Sequence, residues 1–78
     1  MIDLEQKYID FIKETVSNYL NEYKLYFFGS RVKNKAKKYS DIDIAIDSAE
    51  LTFEKKSLLK FLFEDSTMPY EVDIVDLN

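Results

Sequence analysis

The sequence predicts a single α/β (α+β) domain, residues 1–78, with elements in the order helix, strand, strand, helix, strand. Its mixed three-stranded sheet is expected to pack on two helices. Three observations predict this. Apolar residues recur at helical spacing near the N-terminus and again after residue 47. Between and after these stretches lie short β-branched or aromatic runs ended by turn residues. The first two runs are joined by a short loop, which favours antiparallel pairing.

The first helix is predicted over 3–22. Leu4, Tyr8, Phe11, Ile12, Val16, Tyr19 and Leu20 fall at steps of three and four and form one stripe. Asp3 suits the N-cap and Glu5 the first turn. Leu25-Tyr26-Phe27-Phe28 then reads as a buried strand that stops at Gly29. It delivers Gly29-Ser30 at its carboxyl end, where α/β sheets commonly bind ligands. Residues 40–47 alternate. Ile42, Ile44 and Ile46 face one way, and Asp41, Asp43, Ala45 and Asp47 the other. Asp47 is expected to cap the next helix, with Glu50 completing a capping box.

That second helix is predicted over 48–65. Leu51, Leu58, Leu59 and Leu62 set its apolar face, and Phe53, Phe61 and Phe63 broaden it. A helix apolar over so much of its girth is either deeply buried or covered by another chain. Ser66-Thr67-Met68-Pro69 breaks the chain, and 70–77 reads as the third strand. On it, Asp73 points away from Val72 and Ile74, while Glu71 and Asp76 read as solvated.

Composition narrows the chemistry. The chain has no Cys and no His, so thiolate sites and an imidazole base are excluded. A catalytic metal must be held by oxygen, which favours Mg²⁺ or Mn²⁺. The net charge of −4 argues against direct nucleic-acid binding. No apolar run is long enough for a membrane span and no signal-peptide pattern opens the chain, so a cytoplasmic location is expected. A 78-residue chain buries little surface and gains from a partner or ligand.

The chemistry-bearing stretch is 29–43. Gly29 permits a sharp turn and close approach of backbone to a ligand. Ser30 offers a hydroxyl and an N–H to a phosphate oxygen. Arg31 follows directly, with a fork-shaped donor suited to phosphate, and opens a run of five cations over 31–38. Asp41 and Asp43 stand two residues apart. Asp is a poor strand former, and like charges on one face repel, so the pair is favourable mainly around a cation.

Gly-Ser, ten residues, then Asp-x-Asp resembles the signature of the polymerase-β-like nucleotidyltransferase superfamily. The spelling FFGSRVKNKAKKYSDIDIAI is similar to its smallest members, the minimal nucleotidyltransferases, across roughly residues 20–77. The resemblance implies a third acid on the strand after the second helix, and Asp73 occupies the matching position. It implies an enzyme that transfers AMP from ATP, with two Mg²⁺ ions on Asp41, Asp43 and Asp73. Gly29, Ser30 and Arg31 would hold the triphosphate. It also implies an antitoxin whose partner is a HEPN-domain toxin, modified on a tyrosine within a hetero-oligomer. Relatives commonly add a further helix after the third strand, which leaves the base-binding side of the site open. Two other readings are a non-catalytic module that inhibits its partner by docking through the second helix, and a small-molecule nucleotidyltransferase. The latter is disfavoured because 78 residues leave no second domain to hold a substrate.

Overall fold

A computed structural model of the protein describes residues 4–29 and 41–78. Elements follow in the order α1 (Gln6–Tyr19), β1 (Lys24–Phe28), β2 (Ile42–Asp47), α2 (Phe53–Glu64) and β3 (Val72–Asp76). The strands form one sheet in the order β1-β2-β3. β1 and β2 pair antiparallel, and β2 and β3 pair parallel. The expected mixed sheet on two helices is therefore the observed one.

Alternation in β2 determines which face is covered. Ile42, Ile44 and Ile46 are all fully buried. They pack with Val72 of β3, with Ile12, Val16 and Leu20 from α1 and its C-cap, and with Leu59 and Phe63 of α2. Phe11 and Phe63 meet edge to face with centroids 6.2 Å apart, which ties α1 to α2. The opposite sheet face carries Tyr26, Phe28, Ala45 and Val75 together with Asp43 and Asp73.

Both helices are shorter than their periodicity suggests. Asp3 lies outside the described residues. The N-cap of α1 is Glu5, whose side chain makes no cap hydrogen bond. Ile9, which the stripe omitted, is buried, whereas Tyr19 sits at the rim. The helix stops at Tyr19 because Leu20 turns extended while burying its side chain.

The expected capping box of Asp47 and Glu50 is not formed. Asp47 stays in β2, in register with Lys24. The N-cap of α2 is Thr52, whose hydroxyl accepts from Lys55 N–H at 3.1 Å. Glu50 instead reaches across the fold. Its carboxylate accepts from Glu22 N–H at 2.6 Å and from Asn21 N–H at 3.2 Å. Ser48 Oγ donates to Glu22 O at 2.7 Å and accepts from Glu50 N–H at 3.1 Å. These bonds tie the α1–β1 turn to the β2–α2 turn and satisfy the backbone N–H groups of Asn21 and Glu22 in the turn after α1.

Two outcomes follow. Phe63 is buried between the helices and the sheet, so Phe63→Ala will cost about 3–5 kcal/mol, a large part of the total for so small a domain. Urea melts will read it. The N–H groups of Glu22 and Asn21 hold the Glu50 carboxyl below its ordinary value of 4.5. Because the folded state depresses this pKa, the stabilisation is complete above 4.5 and fades as pH falls through the lower folded value. Glu50→Gln will flatten that acid limb in stability measured against pH.

Candidate active site

The candidate site lies at one end of the open sheet face. β1 ends there, and β2 and β3 begin there, since β2 runs antiparallel to β1 and parallel to β3. The expectation of a site outside strand carboxyl ends therefore holds for β1 alone. The acids stand at the amino ends of β2 and β3.

Register brings the acids together. Asp43 pairs with Asp73 across the β2–β3 ladder, so two residues thirty apart in sequence occupy adjacent positions on one face. Neighbouring strands run about 4.8 Å apart, which forces the two carboxylates close. Burial first, then the charges of Asp73 and Asp41, raise the Asp43 carboxyl above its ordinary 3.8. Asp41 precedes the first residue of β2 and is exposed, so it joins the cluster from the loop rather than from the ladder.

Gly29 completes this corner. It follows β1 with φ of 82°, a conformation L side chains rarely adopt. A Cβ at this position would overlap Asp43 Oδ2 and stand 3.1 Å from Asp43 Cγ. The glycine is required twice, for its backbone turn and for the room it gives the Asp43 carboxylate. Ser30 and Arg31, singled out in the sequence, lie outside the described residues, as do the cations of 33–38.

One contributor was not anticipated. Lys60 of α2 reaches the edge of β3, where its Nζ donates to Val72 O at 2.7 Å and stands 3.5 Å from Asp73 Oδ1. Glu64 flanks it at 3.7 Å. Sequence spacing signals the Lys60–Glu64 pair, but the link to Asp73 exists only once α2 packs beside β3. Among the described residues, no three acidic side chains converge closely enough to cage an ion. Asp73 is paired with Lys60. The corner's donor set nevertheless suits a hard divalent cation, being all carboxylate oxygen on one face.

Three substitutions test this geometry. Gly29→Ala will destabilise the fold by at least about 1–2 kcal/mol from the left-handed backbone alone. Part of the further cost will vanish in a double mutant with Asp43→Ala, a coupling that a denaturation cycle measures. Asp43→Asn will have the opposite sign. A raised folded pKa means the ionised carboxylate weakens the fold at neutral pH, so the neutral amide will add about 0.2–1 kcal/mol there. Below the ordinary 3.8 the gain will disappear.

Comparison with known proteins places the chain in a family. The family model described as polymerase beta, nucleotidyltransferase matches residues 10–78, which contain every element from within α1 onwards. The chain is also 41% identical over 76 residues to the probable protein adenylyltransferase MntA of Haemophilus influenzae, a match covering 96% of this chain and 67% of that protein. No helix among the described residues is long and apolar enough to cross a membrane. The helix–strand order and the mixed sheet are consistent with a small polymerase-β-like fold, and the chain belongs to the polymerase-β nucleotidyltransferases as one of their minimal members.

Proposed function

We propose that this nucleotidyltransferase moves AMP from ATP onto a hydroxyl of a partner protein, with Asp41, Asp43 and Asp73 as its catalytic carboxylates. The observation that carries the reading is the in-register pair of Asp43 and Asp73, joined by the charge of Asp41 and set beside Gly29. Such repulsion is tolerated in a small domain when the acids serve a cation. Mg²⁺ ions, two in number, are the proposed cofactor and would neutralise the attacking and leaving oxygens of the displacement. Asp41 and Asp43 would hold them from β2 and its leading loop. Asp73 would complete the set from β3 and stand nearest the acceptor hydroxyl. Gly29, Ser30 and Arg31 would bind the triphosphate through backbone N–H groups, a hydroxyl and a guanidinium.

In this scheme the acceptor oxygen bonds to the α-phosphorus, the bond from that phosphorus to the leaving oxygen breaks, and pyrophosphate departs. The acceptor proton passes to a carboxylate and then to water. No histidine is called on, in keeping with the composition. The relative's printed activity, protein adenylyltransferase, supports a protein acceptor. The partner we propose is a HEPN-domain toxin, neutralised by AMP on a tyrosine, which makes this chain an antitoxin.

The test is intact mass of the protein encoded beside this chain's gene, after incubation with the chain, ATP and Mg²⁺. The expected result is a gain of one or more AMP units that Asp41→Asn and Asp43→Asn abolish while complex formation persists. Neutralisation of the partner by Asp41→Asn, without any mass gain, would replace catalysis by docking. Separately, Mg²⁺ with ATP at about a hundred times its dissociation constant will stabilise the wild-type fold by about 2.7 kcal/mol. Asp43→Asn will lose most of that response.

A further inference from the structure

Among the described residues, Asp73 is the one acid of the corner with a cation within ion-pair distance, and that cation is Lys60. The placement of Lys60 follows from the core. Leu59 and Phe63 are buried on the inner side of α2. Lys60 follows Leu59 directly, so the helix carries it about 100° round from that side. There it meets the free edge of β3, the last strand of the sheet.

The ammonium of Lys60 has three protons and meets three oxygens. Val72 O accepts at 2.7 Å, Asp73 Oδ1 stands at 3.5 Å and Glu64 Oε1 at 3.7 Å. The closest of these is a backbone carbonyl. Glu71 O accepts from Ile42 N–H of β2, so the next carbonyl along, Val72 O, faces away from the sheet. A backbone acceptor on a paired strand cannot rotate away as a side chain can. The bond therefore anchors Nζ one residue from Asp73, and the ion pair is not left to two freely moving side chains.

This anchored charge alters what the corner can hold. Asp41, Asp43 and Asp73 supply three negative charges, and Lys60 cancels one of them where Asp73 adjoins Asp43 in the ladder. A divalent cation taken up by these acids must share Asp73 with the ammonium and is repelled by it. We propose that Lys60 is a positioning residue that fixes Asp73 at the strand edge and, through its charge, lowers the affinity of the acidic corner for divalent cations. The assignment rests on the reading of the corner as a metal site and deepens it. It accounts for a lysine bonded to the strand beside acids whose task is to bind a cation. Glu64 has a lesser part: it adjoins the ammonium from α2 and leaves the charge at Asp73 in place.

The probe is Mn²⁺ alone, titrated into the full 78-residue chain without nucleotide and followed by the free-ion signal in electron paramagnetic resonance. Wild type is compared with Lys60→Met, which removes the charge and keeps much of the stem, and with Lys60→Arg, which keeps the charge. Thermal melts verify that each variant folds. The proposal expects Lys60→Met to bind Mn²⁺ at least about threefold more tightly than wild type at low salt, a gain that a merely structural lysine would not produce. Lys60→Arg and Glu64→Gln are expected to stay within about twofold of wild type. The advantage of Lys60→Met will shrink as sodium chloride rises to about 1 M, because the Debye length falls to about 3 Å. Should the methionine variant fail to fold, Lys60→Gln, which keeps a donor, is read in the same way. An equal or weaker affinity in the folded neutral variant, or a gain as large in Lys60→Arg, would overturn the role given to Lys60 and leave the metal reading intact. Asp43→Asn separates the two ideas, since it is expected to weaken Mn²⁺ binding at least about tenfold. Mn²⁺ binding that Asp43→Asn does not change, or no binding by wild type or the neutral variant at millimolar Mn²⁺, would remove the metal reading, and the role of Lys60 with it.

Discussion

The register of β2 against β3 is the constraint on which this molecule depends. Hydrophobic burial determines it: Ile42, Ile44 and Ile46 must all face the helices, and Val72 must join them. A slip by one residue would turn every isoleucine outward. The same register forces Asp43 beside Asp73 on the other face, where they repel. The core thus stabilises an arrangement that the acids alone would oppose. Core packing outweighs the acid pair by a wide margin, since each buried isoleucine contributes about 1.5–3 kcal/mol and a cross-strand like-charge pair costs at most about 1.

Around that corner, polar groups organise the turns. Glu50 and Ser48 join two turns at the far end of the sheet from the acids, so the segment between β2 and α2 is fastened without a capping box. Fastening it there sets where α2 begins, and hence where Lys60 falls along β3. Lys60 then braces the edge strand through Val72 O and offers Asp73 a cation. The ion pair is half exposed and weak by itself. Its consequence lies in position, because it sets an ammonium beside the carboxylate that adjoins Asp43 in the ladder. A divalent cation would compete with a single ammonium for the same oxygen.

Gly29, Asp43 and Asp73 stand across three successive strands, so the corner spans the width of the sheet. The exposed phenylalanines of α2 lie on the β3 side. The breadth of the apolar face on this helix is accounted for in two parts. Leu59 and Phe63 enter the core, while Phe53 and Phe61 look outward beside Asp73.

The order of elements was legible in the sequence because each has a local cause. The alternation of Ile and Asp dictates β2, the heptad-like stripe dictates α1, and the aromatic run ended by Gly29 dictates β1. The Gly-Ser and Asp-x-Asp spacing pointed to a phosphate and metal site, and to nucleotidyl transfer through its resemblance to the family's signature. Helix ends were not legible, since Leu20 and Leu51 gain more from burial outside a helix than from extending one. Nor was the fate of Glu50, whose capping-box spacing from Asp47 is real but whose carboxylate finds better donors at Asn21 and Glu22, 28 to 29 residues away. Tertiary structure alone decided that Asp73 meets Asp43, that Gly29 has no room for a side chain, and that Lys60 reaches Asp73. Each is a contact between distant segments, and periodicity reports only which face a residue takes, never what lies opposite.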